Sequence, residues 1–185
     1  MTGTFGVSEI RGIDTRMAPE HTDAPLLQLL TCELRGQRFA LPLSRIREVI
    51  EHRAVTRVPS APAFVQGVIN LRGMVIPVVD LGLHIGLPGY APSRRTCLLI
   101  VEIPSRGEPI TLGLIVDSVA DVLEVPRSGL RPPPPFGVTV RLDFISGLAP
   151  LDDGQIVTVL DSERMLSREE LEAAAGARGA AGGSA

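Results

Sequence analysis

The chain predicts an all-β protein made of two similar units, and three observations carry that expectation. The first is an internal repeat. Phe64-Val65-Gln66-Gly67-Val68-Ile69-Asn70-Leu71-Arg72-Gly73 leads on to Asp80, and Phe144-Ile145-Ser146-Gly147-Leu148-Ala149-Pro150-Leu151-Asp152-Asp153-Gly154 leads on to Asp161. Phe to Gly is three residues in both copies, Gly to Leu four, and the second Gly to the closing Asp seven. The second copy holds one extra residue just before that second Gly. A repeat of this length implies two like units stacked into one body. The second observation is that the apolar runs are strand length and punctuated by Gly and Pro, the pattern of small barrels or a sandwich. The third is composition. Hydrophobic residues make up 44% of the 185 residues and aromatics only 3%, with no Trp and one Tyr, so the core has to be aliphatic.

The elements follow in chain order. Residues 1–25 mix Gly, Thr, Pro and charges without periodicity and read as a mobile tail. Leu29–Leu34 and Gln37–Leu43 flank Arg35-Gly36, a hairpin signal. Thr96–Ile103 and Pro109–Val116 flank a turn around Ser105-Arg106-Gly107, so strand, Arg-Gly turn and strand belong to both copies. Ile46-Arg47-Glu48-Val49-Ile50 and Val119-Ala120-Asp121-Val122-Leu123 share the order aliphatic, any, acidic, aliphatic, aliphatic. The copies are offset by 73 residues here and by 80 to 81 further on, which requires an insertion in the second copy. The proline run Arg131-Pro132-Pro133-Pro134-Pro135-Phe136 is the expected place, because proline cannot join a central ladder. Ser167 stands three residues before Glu170 as a capping box and opens a short helix to about Ala175. Residues 176–185 read as a second tail.

Charge and motif content narrow the function. Net charge is −3 and pI about 5.6, which argues against general binding to nucleic acid or an anionic membrane. The scarcity of aromatic residues leaves little on which bases could stack. All 18 basic residues are Arg, so no phosphate loop with its Lys is present. His21, His52 and His84 lack partners at metal-ligand spacing, and exposed or loop positions are the plainest expectation for them. Asp117, Asp121 and Glu124 read as a solvated rim. Cys32 and Cys97 lie in apolar strand-like segments and read as buried free thiols in a reducing compartment. No apolar stretch after a basic start suggests a signal peptide, and the apolar runs fall short of the ~20 residues of a membrane helix. A cytoplasmic chain with no catalytic site, no cofactor and no metal is therefore expected. An enzyme with a site between the units would need Asp, Ser and His to converge in space.

Charge is unevenly divided. Residues 33–72 hold seven Arg against three Glu, and residues 108–163 hold three Arg against nine acids. Similar units of opposite sign suit head-to-tail docking on a copy or a relative. Arg72, before Gly73, is expected to be presented by a tight turn, with Glu48 the one acid in an Arg-flanked aliphatic stretch. A local salt bridge or recognition of a partner would explain either residue.

Gly67-Val68-Ile69-Asn70-Leu71-Arg72-Gly73, then Pro77 and Asp80-Leu81, closely resembles the CheW family, the coupling proteins of bacterial chemotaxis. Ile46–Ile50, Val116–Leu123, Arg131–Pro134 and Phe144–Leu148 continue the likeness over roughly residues 28–172. The resemblance implies two intertwined SH3-like five-stranded β-barrels with a short C-terminal helix. The first barrel would span about 28–84, with a possible return of a C-terminal strand, and the second about 94–150. Tails at 1–27 and 173–185 would flank them. It implies no catalysis. It implies an adaptor that couples the cytoplasmic tip of methyl-accepting chemoreceptors to the regulatory domain of a histidine kinase. Such an adaptor is a cytoplasmic monomer alone and is recruited into membrane-associated arrays, without nucleic acid or membrane insertion. The alternative is a scaffold of the same kind in a pathway for surface motility or gene regulation. The resemblance marks Ile46, Glu48, Val49, Arg72, Val119 and Val122 for contact with receptor or kinase. It marks Gly67, Gly73 and Gly113 for structural turns or close packing.

Overall fold

The computed structural model describes residues 25–105, 108–134, 140–167, 169–170 and 176. Ten strands make up the architecture: β1 (Leu26–Leu34), β2 (Gln37–Pro42), β3 (Ile46–Glu51), β4 (Val65–Leu71), β5 (Met74–Asp80), β6 (Cys97–Ile103), β7 (Ile110–Val116), β8 (Ser118–Pro126), β9 (Ile145–Pro150) and β10 (Ile156–Leu160). A single helical turn, α1 (Leu81–His84), follows β5. The strands form two five-stranded sheets, β8-β1-β2-β10-β9 (sheet A) and β3-β6-β7-β5-β4 (sheet B).

The repeat accounts for both orders. Replacing β1 to β5 by β6 to β10, and the reverse, converts the order of sheet A into that of sheet B. The details repeat as well. β2 pairs parallel with β10, as β7 does with β5. A bridge joins Thr56 to Val68 in the first copy and Arg131 to Leu148 in the second. Asp80 N donates to Phe64 O at 2.8 Å, and Asp161 N to Phe144 O at 2.9 Å.

Residues 28–84 and 94–150 do not form separate sheets. Sheet A takes β1 and β2 from the first copy and β8, β9 and β10 from the second. The chain leaves sheet A after Pro42 through a 3-10 turn at Leu43–Arg45, and leaves sheet B at Asp117. Each copy thereby contributes its first hairpin to one sheet and its last three strands to the other. The largest core cluster then lies between the sheets. It joins Leu30, Leu34, Phe39 and Leu41 of sheet A to Val79, Leu99, Leu112 and Leu114 of sheet B. Cys32 and Cys97 are buried free thiols, as the sequence implied.

Local chemistry explains the turns. Arg35 and Gly36 have φ of 52° and 73°, and Arg72 and Gly73 have 52° and 84°. Positive φ at both central residues is the type I′ hairpin turn, whose twist matches the flanking strands. The capping box forms: Glu170 N donates to Ser167 Oγ at 3.2 Å, and Ser167 N to Glu170 Oε2 at 2.7 Å. Glu169, Glu170 and Gly176 are helical, and the rest of that expected helix lies outside the described residues. Residues 1–24, 177–185 and the centre of the Ser105–Gly107 turn also lie outside them. The strand ladder begins at Leu26, slightly before the expected boundary at residue 28.

Of the three marked glycines, only Gly73 sits in a turn. Gly67 lies within β4 at a register shift, with φ of 143°. A Cβ there would stand 2.1 Å from Thr56 O, so the bridge to Thr56 requires its absence. Gly113 is inside β7, where a Cβ would meet its nearest neighbours at an ordinary 3.6 Å.

Candidate protein-docking surface

The β4–β5 turn presents Arg72. Asn70 Oδ1 accepts from Gly73 N at 2.9 Å and stiffens the turn. A non-glycine residue in the left-handed region carries a steric penalty that Asn or Asp bears more easily, so the identity of the Arg72 side chain has to be explained by what it contacts. Its guanidinium grips Glu48 with both prongs, Nη1 to Oε1 at 2.7 Å and Nη2 to Oε2 at 2.9 Å. The Arg72 side chain is 72% exposed and that of Glu48 27%. This hydrogen-bonded fork holds the Glu48 carboxyl below its usual range, with Arg53 adding to the effect, and raises Arg72 in return. An exposed pair of this kind adds little to stability. Its main consequence is positional: a residue of the β4–β5 turn and one of β3 form one fixed, charged feature. Met74, 52% exposed, stands beside it on the same turn and supplies apolar surface.

A second feature lies at the junction of the sheets. Val49 and Ile50 of β3, Val119 of β8 and Cys97 of β6 line an open cleft of about 450 Å³. Arg94, Arg95, Glu33 and Glu51 also line it. Val49 is 43% exposed, while Val119 is half-buried and packs on the main core. Burial lifts the Cys97 thiol above its ordinary range. Ile46 is half-buried against the same core, and Val122 is 48% exposed on β8. Neither lines this cleft, so only two of the four marked aliphatic residues, Val49 and Val119, meet there.

Several other side chains are not where the sequence suggested. His84 is buried, not exposed or in an open loop. Its ring stacks at a tilt between Phe64 and Phe144, at centroid distances of 4.5 and 5.2 Å, and Nε2 bonds the Met165 carbonyl. The two repeat phenylalanines thus meet across one imidazole. His52 is half-buried and reaches the Tyr90 hydroxyl at 3.1 Å. Asp117 is not a solvated rim acid: its carboxylate accepts from Arg35 N at 2.5 Å and from Arg35 Nη1 at 2.9 Å. Arg35 Nη2 also reaches Asp80, which is fully buried and further bonded by Leu83 N and Tyr90 N. Nothing local in the sequence points Arg35 inward, since it stands in a turn.

Among the described residues no group of three His, Cys, Asp or Glu could hold a metal ion. No helix there is long and apolar enough to cross a membrane. The surface carries an ordered charged fork and an open cleft with apolar walls.

The family model of the CheW-like domain matches residues 28–170. The chain is 30% identical over 144 residues to the chemotaxis protein CheW of Klebsiella aerogenes, covering 78% of this chain and 84% of that protein. It is 31% identical over 147 residues to CheW of Rhizobium meliloti, covering 80% and 92%. The crystal structure of the scaffolding protein TtCheW from Thermoanaerobacter tengcongensis superposes with a TM-score of 0.69 at 29% identity, covering 81% of this chain and 94% of that one. With the family model spanning most of the chain and the same two-sheet architecture found in a relative, this protein belongs to the CheW-like family.

Proposed function

We propose that the protein is a non-enzymatic adaptor that couples methyl-accepting chemoreceptors to a CheA-type histidine kinase in a chemosensory array. The observation that carries this reading is the CheW-like match over residues 28–170. The surface supplies what an adaptor needs. The cleft between Val49 and Val119 suits the apolar face of a helical hairpin, which is the form of a receptor tip. The Arg72–Glu48 fork suits recognition of side chains on a folded partner. Ile46 and Val122 extend these contacts outside the cleft.

The kinase's regulatory domain, itself CheW-like by the family resemblance, is the second partner. Docking end to end would set the basic first copy against an acidic surface. Charged rims govern orientation and on-rate, and apolar contacts supply most of the affinity. The isolated protein is then a monomer at micromolar concentration and assembles with its partners, in the cytoplasm at the membrane-associated receptors. Titration of the kinase's regulatory domain across a salt series tests the charge contribution. Binding is expected to weaken several-fold from low to high salt without vanishing, since the screening length at ~0.15 M is about 8 Å. A flat response would remove the charge division from the account. Co-purification from cells tests the whole: recovery of neither a histidine kinase nor a chemoreceptor would overturn the adaptor reading.

A further inference from the structure

The marked aliphatic residues come in two pairs spaced by three, Ile46 with Val49 and Val119 with Val122. In a regular strand, residues three apart point to opposite faces. Here both members of each pair share a face. Val119 stands opposite Cys32 and Val122 opposite Leu30, and both partners belong to the core between the sheets. Ile46 stands opposite Val101 and Val49 opposite Leu99, again residues of that core. Directly opposed residues of an antiparallel pair point to the same side.

The cause is one extra residue in each strand. The β8 ladder shifts between Leu30 and Cys32, where Ala120 and Asp121 together oppose Thr31. The β3 ladder shifts between Ile46 and Glu48, leaving Arg47 unopposed. Such bulges re-aim the side chains around them. Leu123 and Val125, spaced from Val119 by even numbers, pack on the other face of sheet A with Leu27 and Leu29. Without the extra residue Val119 would turn to that face and leave the cleft.

The two bulges are held by different means. In β8 the hydroxyl of Thr31, a buried residue, accepts from Asp121 N at 3.0 Å and donates to Asp121 O at 2.8 Å. One side chain thereby satisfies both main-chain groups of the bulged residue. In sheet B the corresponding residue is Ile100, opposite Glu48, which has no polar group to offer. There the Glu48 carboxylate is clasped at the surface by Arg72. The second copy carries Asp152 and Asp153 where the first carries Arg72, so neither can clasp Asp121 in that way.

Resting on the adaptor reading, we infer that Thr31 is a positioning residue of the docking surface: its hydroxyl fixes the β8 bulge and so holds Val119 in the cleft and Val122 on the same face. Thr31 is itself buried and acts through β8.

Thr31→Val keeps the shape of the side chain and removes the hydroxyl, and Thr31→Ser keeps the hydroxyl. In Thr31→Val, affinity for a receptor cytoplasmic fragment bearing the hairpin tip is expected to fall about five-fold or more, while Thr31→Ser stays within about two-fold of wild type. Val157→Ala, which thins the cluster on the other face of sheet A, is the control for lost stability and should bind as wild type does. Amide exchange reads the bulge directly. The Asp121 amide of the wild type is expected to exchange as slowly as the neighbouring ladder amides, and about ten-fold faster or more in Thr31→Val. A rapidly exchanging Asp121 amide in the wild type would overturn the inference whether or not the variant folds. So would equal affinity of wild type and Thr31→Val, or equal losses in Thr31→Val and Val157→Ala, which would make Thr31 a stability residue only. A wild type that does not bind the receptor fragment would overturn the adaptor reading, and this role with it.

Discussion

Two Arg-Gly turns of this molecule share one local conformation and have opposite fates. Arg35-Gly36 and Arg72-Gly73 both close type I′ hairpins, each Arg at a φ of 52°. The Arg35 side chain is 12% exposed and turns inward. It ties the first hairpin of sheet A to Asp80 at the end of β5, to Asp117 where β7 passes into β8, and to the Pro88 carbonyl at 2.7 Å. Arg72 turns outward and, among the described residues, bonds Glu48 on the surface. Sequence context does not distinguish them, since each sits between an apolar strand and a glycine. Tertiary position does: the Arg35 turn faces the seam between the sheets and the Arg72 turn faces away. One arginine therefore ties the two sheets together, and the other lies at the surface.

The largest effect is expected on the inward side. Arg35→Ala leaves Asp80 buried without its cation and Asp117 half-buried beside it. Removing one partner of a buried pair costs about 3–5 kcal/mol, and the partial exposure of Asp117 favours the lower end. Urea unfolding is the measurement, and a loss under ~1 kcal/mol would mean the seam does not depend on this network.

A glycine pair comes next. Gly67→Ala is expected to cost ~2 kcal/mol or more, because the Cβ meets the Thr56 carbonyl and the backbone is in a region alanine avoids. Gly113→Ala, with room at 3.6 Å, should shift stability by no more than ~1 kcal/mol in either direction. Equal losses in thermal unfolding would contradict the close approach at Gly67.

Arg72→Ala should change folding stability by no more than ~0.5 kcal/mol, as an exposed substitution does. A melting temperature lowered by much more than a few degrees would make Arg72 structural.

The smallest effect concerns protonation. Glu48 has a depressed pKa because Arg72 bonds its charged form. The fork is therefore complete above the ordinary carboxylate range and is lost only as pH falls through the depressed value. In Arg72→Ala the Glu48 carboxyl should titrate at higher pH than in the wild type. An NMR titration of both chains decides this; an unmoved midpoint would show that the fork is not populated in solution.

What could be read from the sequence followed the range of the interactions. The two Arg-Gly hairpins, the capping box at Ser167 and Glu170, and the buried thiols are set by a few neighbouring residues. The repeat itself was legible as matched spacing. The exchange of strands between the copies is implied by the family resemblance alone, because β2 carries the same pattern whether it pairs with β5 or with β10. For the same reason His84 was misplaced: its burial comes from Phe64 and Phe144, and only folding brings them together. Asp117 looked like a rim acid because its partner, Arg35, is far away in the chain. Gly113 was grouped with turn glycines though nothing local to it predicts a turn. Arg72 and Glu48 are both marked by the family resemblance, while their pairing is visible only in three dimensions. Met74 went unmarked although it directly follows Gly73.

The central claim is that the fold and the docking surface are separable, with Arg72 on the docking side. Titrating wild type and Arg72→Ala against the kinase's regulatory domain and against the receptor tip tests it most directly. An interfacial arginine contributes ~2 kcal/mol or more, so the account predicts a loss of ten-fold or more in affinity for at least one partner, with an unchanged melting temperature. Unaltered affinity for both partners, or weaker binding explained by unfolding, would contradict it.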